Sequence, residues 1–397
     1  MADDSTDAPL AFSLELPRAQ SAAILFLGVV ALLVTGIQPI LLDALAAAGA
    51  LDVHQIGRAA MAELLAMGLG TVALGAWLDG RGLRWVAVVS AVALAGLDLA
   101  GPVLRGEVQV LARGLAGLAE GALLWITIGF IVRQATPERW AAIFFAVQTG
   151  LQLIAAVGLS TGHFPGGDLK GGFGLLVVFA VLAIGAGLMI PAAYPTLPRN
   201  AEGRSLPDLR GWIALAGTLA YTAGGASIWV YMGPLAAEAH LPASAPALGV
   251  SGSLAGQVFG AVLANLLAGR LSFRVVIPVG AGLNLVAYCL LGLSPSLALF
   301  IGCFAVSGLA GMAMTPYLAP MIIEADPTRR AGVLSGGAQL LGSAAGPLAA
   351  SLIVQEGHAR GSLVLACVFV LLGVGLMFWS VRRRLPSHNA GATGAPH

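Results

Sequence analysis

The sequence predicts an all-α membrane protein with twelve transmembrane helices in two pseudo-symmetric six-helix bundles. Hydrophobic residues make up 58% of the 397 positions and charged residues only 10%, which is too little charge to cover a soluble domain. Apolar stretches of spanning length recur twelve times along the chain. A shift of 190 positions aligns segments of the first half with segments of the second. These three observations together define the fold class.

The twelve predicted crossings are spaced along nearly the whole chain. Each is long enough to cross the hydrocarbon layer as a helix, which satisfies its own backbone hydrogen bonds there. The run 275–323 contains no Asp, Glu, Lys or Arg and is interrupted only by Ser294-Pro295-Ser296. At about 1.5 Å per residue it is too long for one crossing and predicts two. The crossings lie at 19–42, 55–78, 85–103, 108–132, 140–162, 173–195, 211–236, 248–269, 275–293, 297–322, 331–354 and 362–381.

The basic residues predict the orientation. Fifteen of the 20 Lys and Arg residues fall in alternate loops and tails that share one side, and the positive-inside rule makes that side cytoplasmic. Both termini are then cytoplasmic, and the first apolar run, without a basic n-region, is a retained helix. The arginine-rich composition is typical of a GC-rich bacterial genome, so we expect the cell inner membrane. The predicted parts are the tail 1–18, the bundle 19–195, the linker 196–210, the bundle 211–381 and the tail 382–397.

An internal repeat relates the two bundles. The 190-residue shift aligns Pro137 with Pro327 and Arg139 with Arg329, and in the same register it aligns the sixth crossing with the twelfth. A parallel repeat of six-helix halves is typical of secondary transporters, which bind their solute near the midplane between the halves.

The loop between the second and third crossings resembles the signature of the major facilitator superfamily: a Gly, three residues, an acid, then Arg, Gly and a basic residue. The resemblance implies a cytoplasmic gate that helps to hold the outward-facing state. Gly80 departs from the usual pattern, and Gly269 stands where the second half has the counterpart of Asp79. The alternative is that the arginines only anchor the topology. The predicted gate residues are Gly75, Asp79, Arg81, Gly82 and Arg84.

The fourth crossing carries charges, and its Arg followed by glycines at four-residue steps resembles a second motif of the same family. Arg113 and Glu120 are seven residues apart and share a helix face. A charge in the hydrocarbon costs about 2.5–3.5 kcal/mol on insertion scales, so each needs a partner or water. Glu63 and Asp98, in the second and third crossings, are the available acids. An ion pair of Arg113 with one of them is the structural alternative to a functional role.

Glu120 is the predicted proton-coupling residue. In this family its helix lines the central cavity, and the crossings of the second half offer no charge to neutralise it. Burial favours the protonated form of a carboxyl group, so Glu120 can bind and release a proton. Arg113, Glu63 and Asp98 complete the predicted coupling set. The alternative is a neutral, hydrogen-bonded Glu120 that only joins helices.

Polar and aromatic residues on neighbouring crossings predict an amphipathic cavity for an organic solute. Gln148 and Gln152 share one face of the fifth crossing, and Thr35 and Gln38 lie three apart on the first. Any one of them alone is more often an interhelical contact or an interfacial anchor. The predicted cavity residues are Thr35, Gln38, Gln148, Gln152, Tyr221, Trp229, Gln257, Asn265, Tyr317 and Gln339.

The resemblance covers about Arg18 to Arg384 and implies alternating access. We therefore expect a secondary active transporter of a small organic solute, coupled to protons, working as a monomer in the lipid bilayer. A drug or metabolite:proton efflux antiporter is the alternative, although Gly346-Pro347 lies in the half opposite to the efflux motif. A non-transporting receptor and an uncoupled facilitator remain open. No nucleotide-binding loop, catalytic set, metal ligand spacing or basic domain is present in the sequence, so we expect no ATP, enzyme activity, metal, cofactor or nucleic acid.

Overall fold

The computed structural model describes residues 14–51, 53–160, 167–197, 206–242, 245–293, 295–353 and 359–382, and within them the secondary structure is helical. The first half contains α1 (Arg18–Ala47), α2 (Val53–Trp77), α3 (Leu83–Ala100), α4 (Gly106–Ile131), α5 (Pro137–Ser160) and α6 (Gly167–Met189). The second half contains α7 (Leu209–Val230), α8 (Met232–Glu238), α9 (Ala245–Leu267), α10 (Phe273–Leu291), α11 (Leu297–Met314), α12 (Leu318–Ala325), α13 (Arg330–Ile353) and α14 (Gly361–Ser380).

Eleven helical spans in the described part of the chain are long and apolar enough to cross a membrane, with α11 and α12 counted as one span. The remaining long helix is α13, whose sequence is rich in Gly and Ser and includes Gln339. These residues lower its hydropathy. Because α13 packs against α7 in its own half and against α2 in the other, much of its surface faces protein and needs fewer apolar side chains. With α13, the long helical spans number twelve, as the sequence predicts.

Two predicted crossings are interrupted. The seventh consists of α7 and α8, separated at Tyr231. The tenth consists of α11 and α12, joined by a 3-10 turn at Thr315–Tyr317. Pro316 explains this second break, because proline has no backbone N–H to continue the α-helical pattern. In contrast, α13 continues through Pro347.

Two hydrophobic cores divide the molecule. The first draws its buried residues from 23–197 together with Val333 and Leu340, and the second from 214–381 together with Ala142. These three exceptions lie where the halves meet, through α2 and α4 against α13 and through α5 against α9 and α12. The exact domain boundaries stay a prediction. Residues 1–13 of the first tail, 198–205 of the linker and 383–397 of the last tail lie outside the described residues.

Glycines bring particular helix pairs into backbone contact. A Cβ atom at Gly117 of α4 would lie 2.2 Å from the carbonyl oxygen of Glu63 on α2. In the second half, a Cβ atom at Gly308 of α11 would lie 2.2 Å from the carbonyl oxygen of Ser253 on α9. Small residues allow such close approach of helices in membranes. Ser253 follows Glu63 by 190 positions and Gly308 follows Gly117 by 191, so each half has a close glycine contact at a similar place, and the counterpart of Glu63 is neutral.

Candidate functional site

A buried cluster of ionisable side chains joins α2, α3 and α4 in the first half. The Nη1 atom of Arg113 lies 2.8 Å from Oδ1 of Asp98, and its Nη2 atom contacts Oε1 of Glu63. Glu120 lies in the same cluster, with Oε1 3.7 Å from Nη2 of Arg113. Sequence reasoning treats an ion pair with one acid as the alternative to a coupling role. The structure instead places three carboxyl groups around one guanidinium.

The cluster is removed from water and has an excess of acids. Glu63, Asp98 and Glu120 are each 1% exposed and Arg113 is 2% exposed. Fully ionised, three carboxylates and one guanidinium carry a net charge of −2, and burying uncompensated charge costs several kcal/mol per ion. Oδ2 of Asp98 and Oε2 of Glu120 have no hydrogen-bond partner among the described residues. Protons bound to these carboxyl groups would restore neutrality.

Two residues that the sequence analysis did not select complete this region. The guanidinium of Arg113 lies over the ring of Phe173 on α6, at 5.8 Å from its centroid. Gln109 lies one helical turn before Arg113 and is fully buried, with no hydrogen-bond partner for its amide in the described part of the chain. The sequence could have identified Gln109, because it precedes Arg113 by four positions and therefore lies on the same helix face. No sequence pattern identifies Phe173.

Gln38 connects the cluster to less buried surroundings. This α1 residue, predicted to line the cavity, is partly exposed, and its Nε2 atom donates a hydrogen bond to Oε2 of Glu63 at 2.8 Å. Glu63 therefore lies between Arg113 on one side and Gln38 on the other. Gln38 is thus a partly exposed residue in direct contact with the buried cluster.

The other polar residues predicted in the first half tie helices together. Gln152 of α5 is 6% exposed. Its Nε2 atom donates to Oγ1 of Thr35 at 2.9 Å and also to the carbonyl oxygen of Leu32, both on α1. Gln148, one turn earlier, is 5% exposed. This is the interhelical role that the sequence analysis left open, and a role in solute contact stays a prediction.

In the second half, Tyr221 belongs to a buried hydrogen-bond network that the sequence did not predict. The Nδ2 atom of Asn284 donates to the hydroxyl of Tyr221 at 3.1 Å. The hydroxyl of Ser307 donates to Oδ1 of Asn284 at 2.7 Å and reaches the hydroxyl of Tyr288 at 3.3 Å. The network joins α7, α10 and α11.

The remaining predicted cavity residues differ in exposure. Tyr317 is 1% exposed and its hydroxyl has no partner among the described residues. Trp229 and Asn265 are exposed, whereas Gln257 and Gln339 are partly exposed. Only the accessible members can contact a solute without a rearrangement.

The predicted gate loop lies where the two halves meet. Asp79 accepts a hydrogen bond from Nη1 of Arg330 at 3.1 Å, and Nη2 of Arg330 donates to the carbonyl oxygen of Leu197 at 2.9 Å. The backbone reverses at Asp79, Gly80 and Gly82, with φ values of 45°, 76° and 68°. Glycine adopts this left-handed region at little cost, and Asp is among the few other residue types that tolerate it.

The other gate residues have distinct surroundings. A Cβ atom at Gly75 would lie 2.8 Å from Leu334 of the other half, so this glycine permits the close approach. Arg84 donates to the carbonyl oxygen of Ile190, and Arg81 is exposed.

A second layer of contacts covers the gate loop. Arg133 donates to the carbonyl oxygen of Pro195 at 3.1 Å and lies over the ring of Tyr194 at 5.2 Å. Burial lowers the pKa of Arg133 to about 10, which leaves it charged at neutral pH. Burial also raises the pKa of the Tyr194 phenol, so its hydroxyl stays protonated and donates to the carbonyl oxygen of Ile126. A cavity of about 10 Å³ beside these residues has room for about one water molecule.

Arg329 makes a further contact across the halves, donating to the carbonyl oxygens of Val132 and Gln134 at 2.7 and 3.1 Å. Two consecutive arginines, Arg329 and Arg330, therefore hold the end of α4, the gate loop and residue 197 against the second half. This end of the molecule is closed.

Comparisons with known proteins agree with this geometry. Residues 213–396 match the family model of the Major Facilitator Superfamily. FucP, a transporter of that superfamily solved in the outward conformation, superposes with a TM-score of 0.75 at 12% identity, over 92% of this chain and 100% of FucP. The human organic anion transporter MFSD10 (TETRAN) superposes with a TM-score of 0.69 at 14% identity, over 92% and 100%. A search of curated proteins gives no match. The similarity to the solved structures confirms the predicted fold.

Proposed function

We propose that this chain is a secondary transporter of the Major Facilitator Superfamily, whose family model matches residues 213–396 and whose member FucP has a similar fold, and that it couples the transport of a small organic solute to a proton gradient. The observation that supports proton coupling is the cluster in which Arg113 is shared by three buried carboxyl groups. One guanidinium compensates one carboxylate. The remaining two acids stay buried in the hydrocarbon region at least cost when they hold protons.

Alternating access is the proposed mechanism. The halves meet through the contacts of α13 with α2 and α4, next to Asp79 and Arg330. The positive-inside rule places this end in the cytoplasm, so the described state is closed there. Opening requires that Arg330 leaves Asp79 and residue 197, after which one half tilts against the other. We place both termini in the cytoplasm, the chain in a bacterial inner membrane, and the working unit as a monomer.

Glu120 is the proposed proton carrier within the cluster. Its nearest approach to Arg113 is 3.7 Å, against 2.8 Å for Asp98, so it has the weaker electrostatic compensation. One of its oxygens has no partner among the described residues. A proton on Glu120 therefore disturbs the Arg113 ion pairs least, and its release leaves the largest uncompensated charge.

The proposed solute site lies near the midplane between the halves, next to Gln38. The two solved relatives differ in what their names state: one is called a fucose:proton symporter and the other an organic anion transporter. The relatives thus support a small organic solute without choosing its class. Efflux of a drug or metabolite in exchange for protons is the second candidate, because an organic cation can also balance the excess acids of the cluster.

The test uses purified protein in proteoliposomes. A thermal-shift panel of sugars, organic acids, amino acids and amphipathic cations identifies a stabilising solute, since a ligand of the folded state raises the melting temperature by mass action. We expect an imposed proton gradient to drive accumulation of that solute in wild type. Glu120→Gln should abolish accumulation while solute counterflow, which needs no net proton movement, continues. Thr71→Val, which alters another α2–α4 contact, should retain both.

Three outcomes contradict the proposal in different ways. Gradient-driven accumulation by Glu120→Gln equal to that of wild type refutes proton coupling through Glu120. Solute movement with no response to the gradient in wild type indicates a facilitator. Binding without any solute flux indicates a receptor.

A further inference from the structure

Gln38 of α1 is a partly exposed side chain that contacts the buried cluster. Glu63, Asp98, Arg113 and Glu120 are at most 2% exposed, so a solute cannot reach them directly in this state. Gln38 is partly exposed and donates to Oε2 of Glu63. Its Oε1 atom has no hydrogen bond within the described residues, and an amide both donates and accepts. Gln38 is thus more accessible than the four charged side chains of the cluster.

The chemistry around Gln38 indicates the solute class. Each terminal nitrogen of Arg113 faces a carboxyl group of the cluster, and by sequence the crossings of the second half contain no basic residue. An anionic solute would therefore find no uncommitted positive charge, and a cationic one is separated from the acids by Gln38. A neutral solute with hydroxyl or amide groups matches the exposed part of Gln38.

The hydrogen bond from Gln38 also couples solute binding to protonation. The carboxylate form of Glu63 is stabilised by Arg113 of α4 and Gln38 of α1, and destabilised by the nearby acids Asp98 of α3 and Glu120 of α4. A solute that takes over the Nε2–H of Gln38 removes one stabilising hydrogen bond from the charged form. One proton from the water on that side then adds to the cluster, and the net charge rises by one. Because such linkage is reciprocal, protonation strengthens solute binding equally.

We propose that Gln38 is the positioning residue that couples a neutral, hydroxyl- or amide-bearing solute to protonation of the buried cluster, which makes the transporter a symporter. This inference rests on the proposed proton coupling. It adds the solute class, the sign of the coupling and the residue that transmits it.

The test is an infrared pH titration of protonated carboxyl groups in reconstituted protein. Gln38→Met keeps the volume and removes the donor. Loss of a hydrogen bond to a charged group should move the midpoint of the cluster's carboxyl band to higher pH by about one to two units. Thr71→Val is the matched control, because Thr71 bonds the carbonyl oxygens of Met67 and Gly121 on the same two helices without touching the cluster. Its midpoint should equal that of wild type.

The second arm adds solutes to wild type. Neutral probes are L-fucose, mannitol and acetamide, and the charged probes are benzoate and tetraethylammonium. At least one neutral probe should raise the midpoint in wild type, and Gln38→Met should lose that response. A panel in which no neutral probe acts contradicts the solute class, and a probe that lowers the midpoint contradicts symport.

The outcomes separate the two proposals. A Gln38→Met midpoint equal to that of wild type overturns the role of Gln38, even when Glu120→Gln still abolishes gradient-driven accumulation. If no carboxyl group titrates in any variant, proton coupling itself fails. Should Gln38→Met not fold, Gln38→Asn retains the amide on a shorter side chain and should shift the midpoint in the same direction.

Discussion

The contact of Arg330 with Asp79 and residue 197 leads to a quantitative prediction about the closed end of the molecule. Arg330→Met removes the ion pair and the hydrogen bond to the carbonyl oxygen of Leu197. The ion pair contributes about 1 kcal/mol at most, because Asp79 is partly exposed and solvent screens the pair. The buried bond from a charged donor contributes about 1.5–3 kcal/mol. The closed state should lose about 2–4 kcal/mol, which changes its population ratio about 30-fold to several hundred-fold.

Spin-label distances across this end of the molecule measure the population of the closed state. Labels replace Arg81 and Arg270, which are exposed and belong to different halves, in a background where the three cysteines are alanine. Wild type should give a single short distance, and Arg330→Met should add a longer one. Asp79→Asn removes only the charge and keeps a residue type that tolerates positive φ, so its effect should be smaller, about five-fold.

The matched control is Arg274→Met. Arg274 pairs with Glu324, and both residues belong to the second half, so this variant loses an ion pair without loosening the contact between halves. Its distances should match those of wild type. If a folded Arg330→Met protein also gives the wild-type distances, Arg330 does not hold the halves together and this prediction is wrong.

Three further variants test the packing by thermal unfolding in detergent. Gly117→Ala forces apart two backbones in contact and should lower the free energy of unfolding by about 1–3 kcal/mol. The control Gly96→Ala, whose added Cβ atom meets no atom within 4 Å, should leave the melting temperature near that of wild type. Equal melting temperatures of the two variants would contradict the close approach of α2 and α4. Tyr221→Phe leaves the Asn284 amide without its acceptor and should destabilise by about 1–3 kcal/mol, while no change would show that water replaces the hydroxyl. Gln109→Leu removes a buried amide without partners and should raise the melting temperature, and a fall would reveal a bonded water.

Much of the fold follows from composition, because a helix in hydrocarbon must be long and apolar whatever its neighbours. This requirement is weaker for α13, because neighbouring helices shield it, and the sequence still predicts it as the crossing 331–354. The need of Arg113 for an acid partner also follows from the sequence. Which acids Arg113 contacts depends on the distances between helices, and the residue spacing along one helix gives no information about those distances. For this reason the placement of Glu120 inside the cluster, the bond from Gln38 to Glu63 and the Asn284 network emerge only from the structure.

The segment that follows α6 takes part in the contacts at the closed end of the molecule through its main chain. The carbonyl oxygens of Ile190, Pro195 and Leu197 accept hydrogen bonds from Arg84, Arg133 and Arg330. A carbonyl oxygen is present at every residue, so substitutions in this segment can accumulate during evolution without removing an acceptor. An insertion or a proteolytic cut between 190 and 197 would instead displace all acceptors beyond it. For protein engineering, reporter domains belong after this segment, because within it a change of length displaces the acceptors and a substitution of Tyr194 removes buried side-chain contacts.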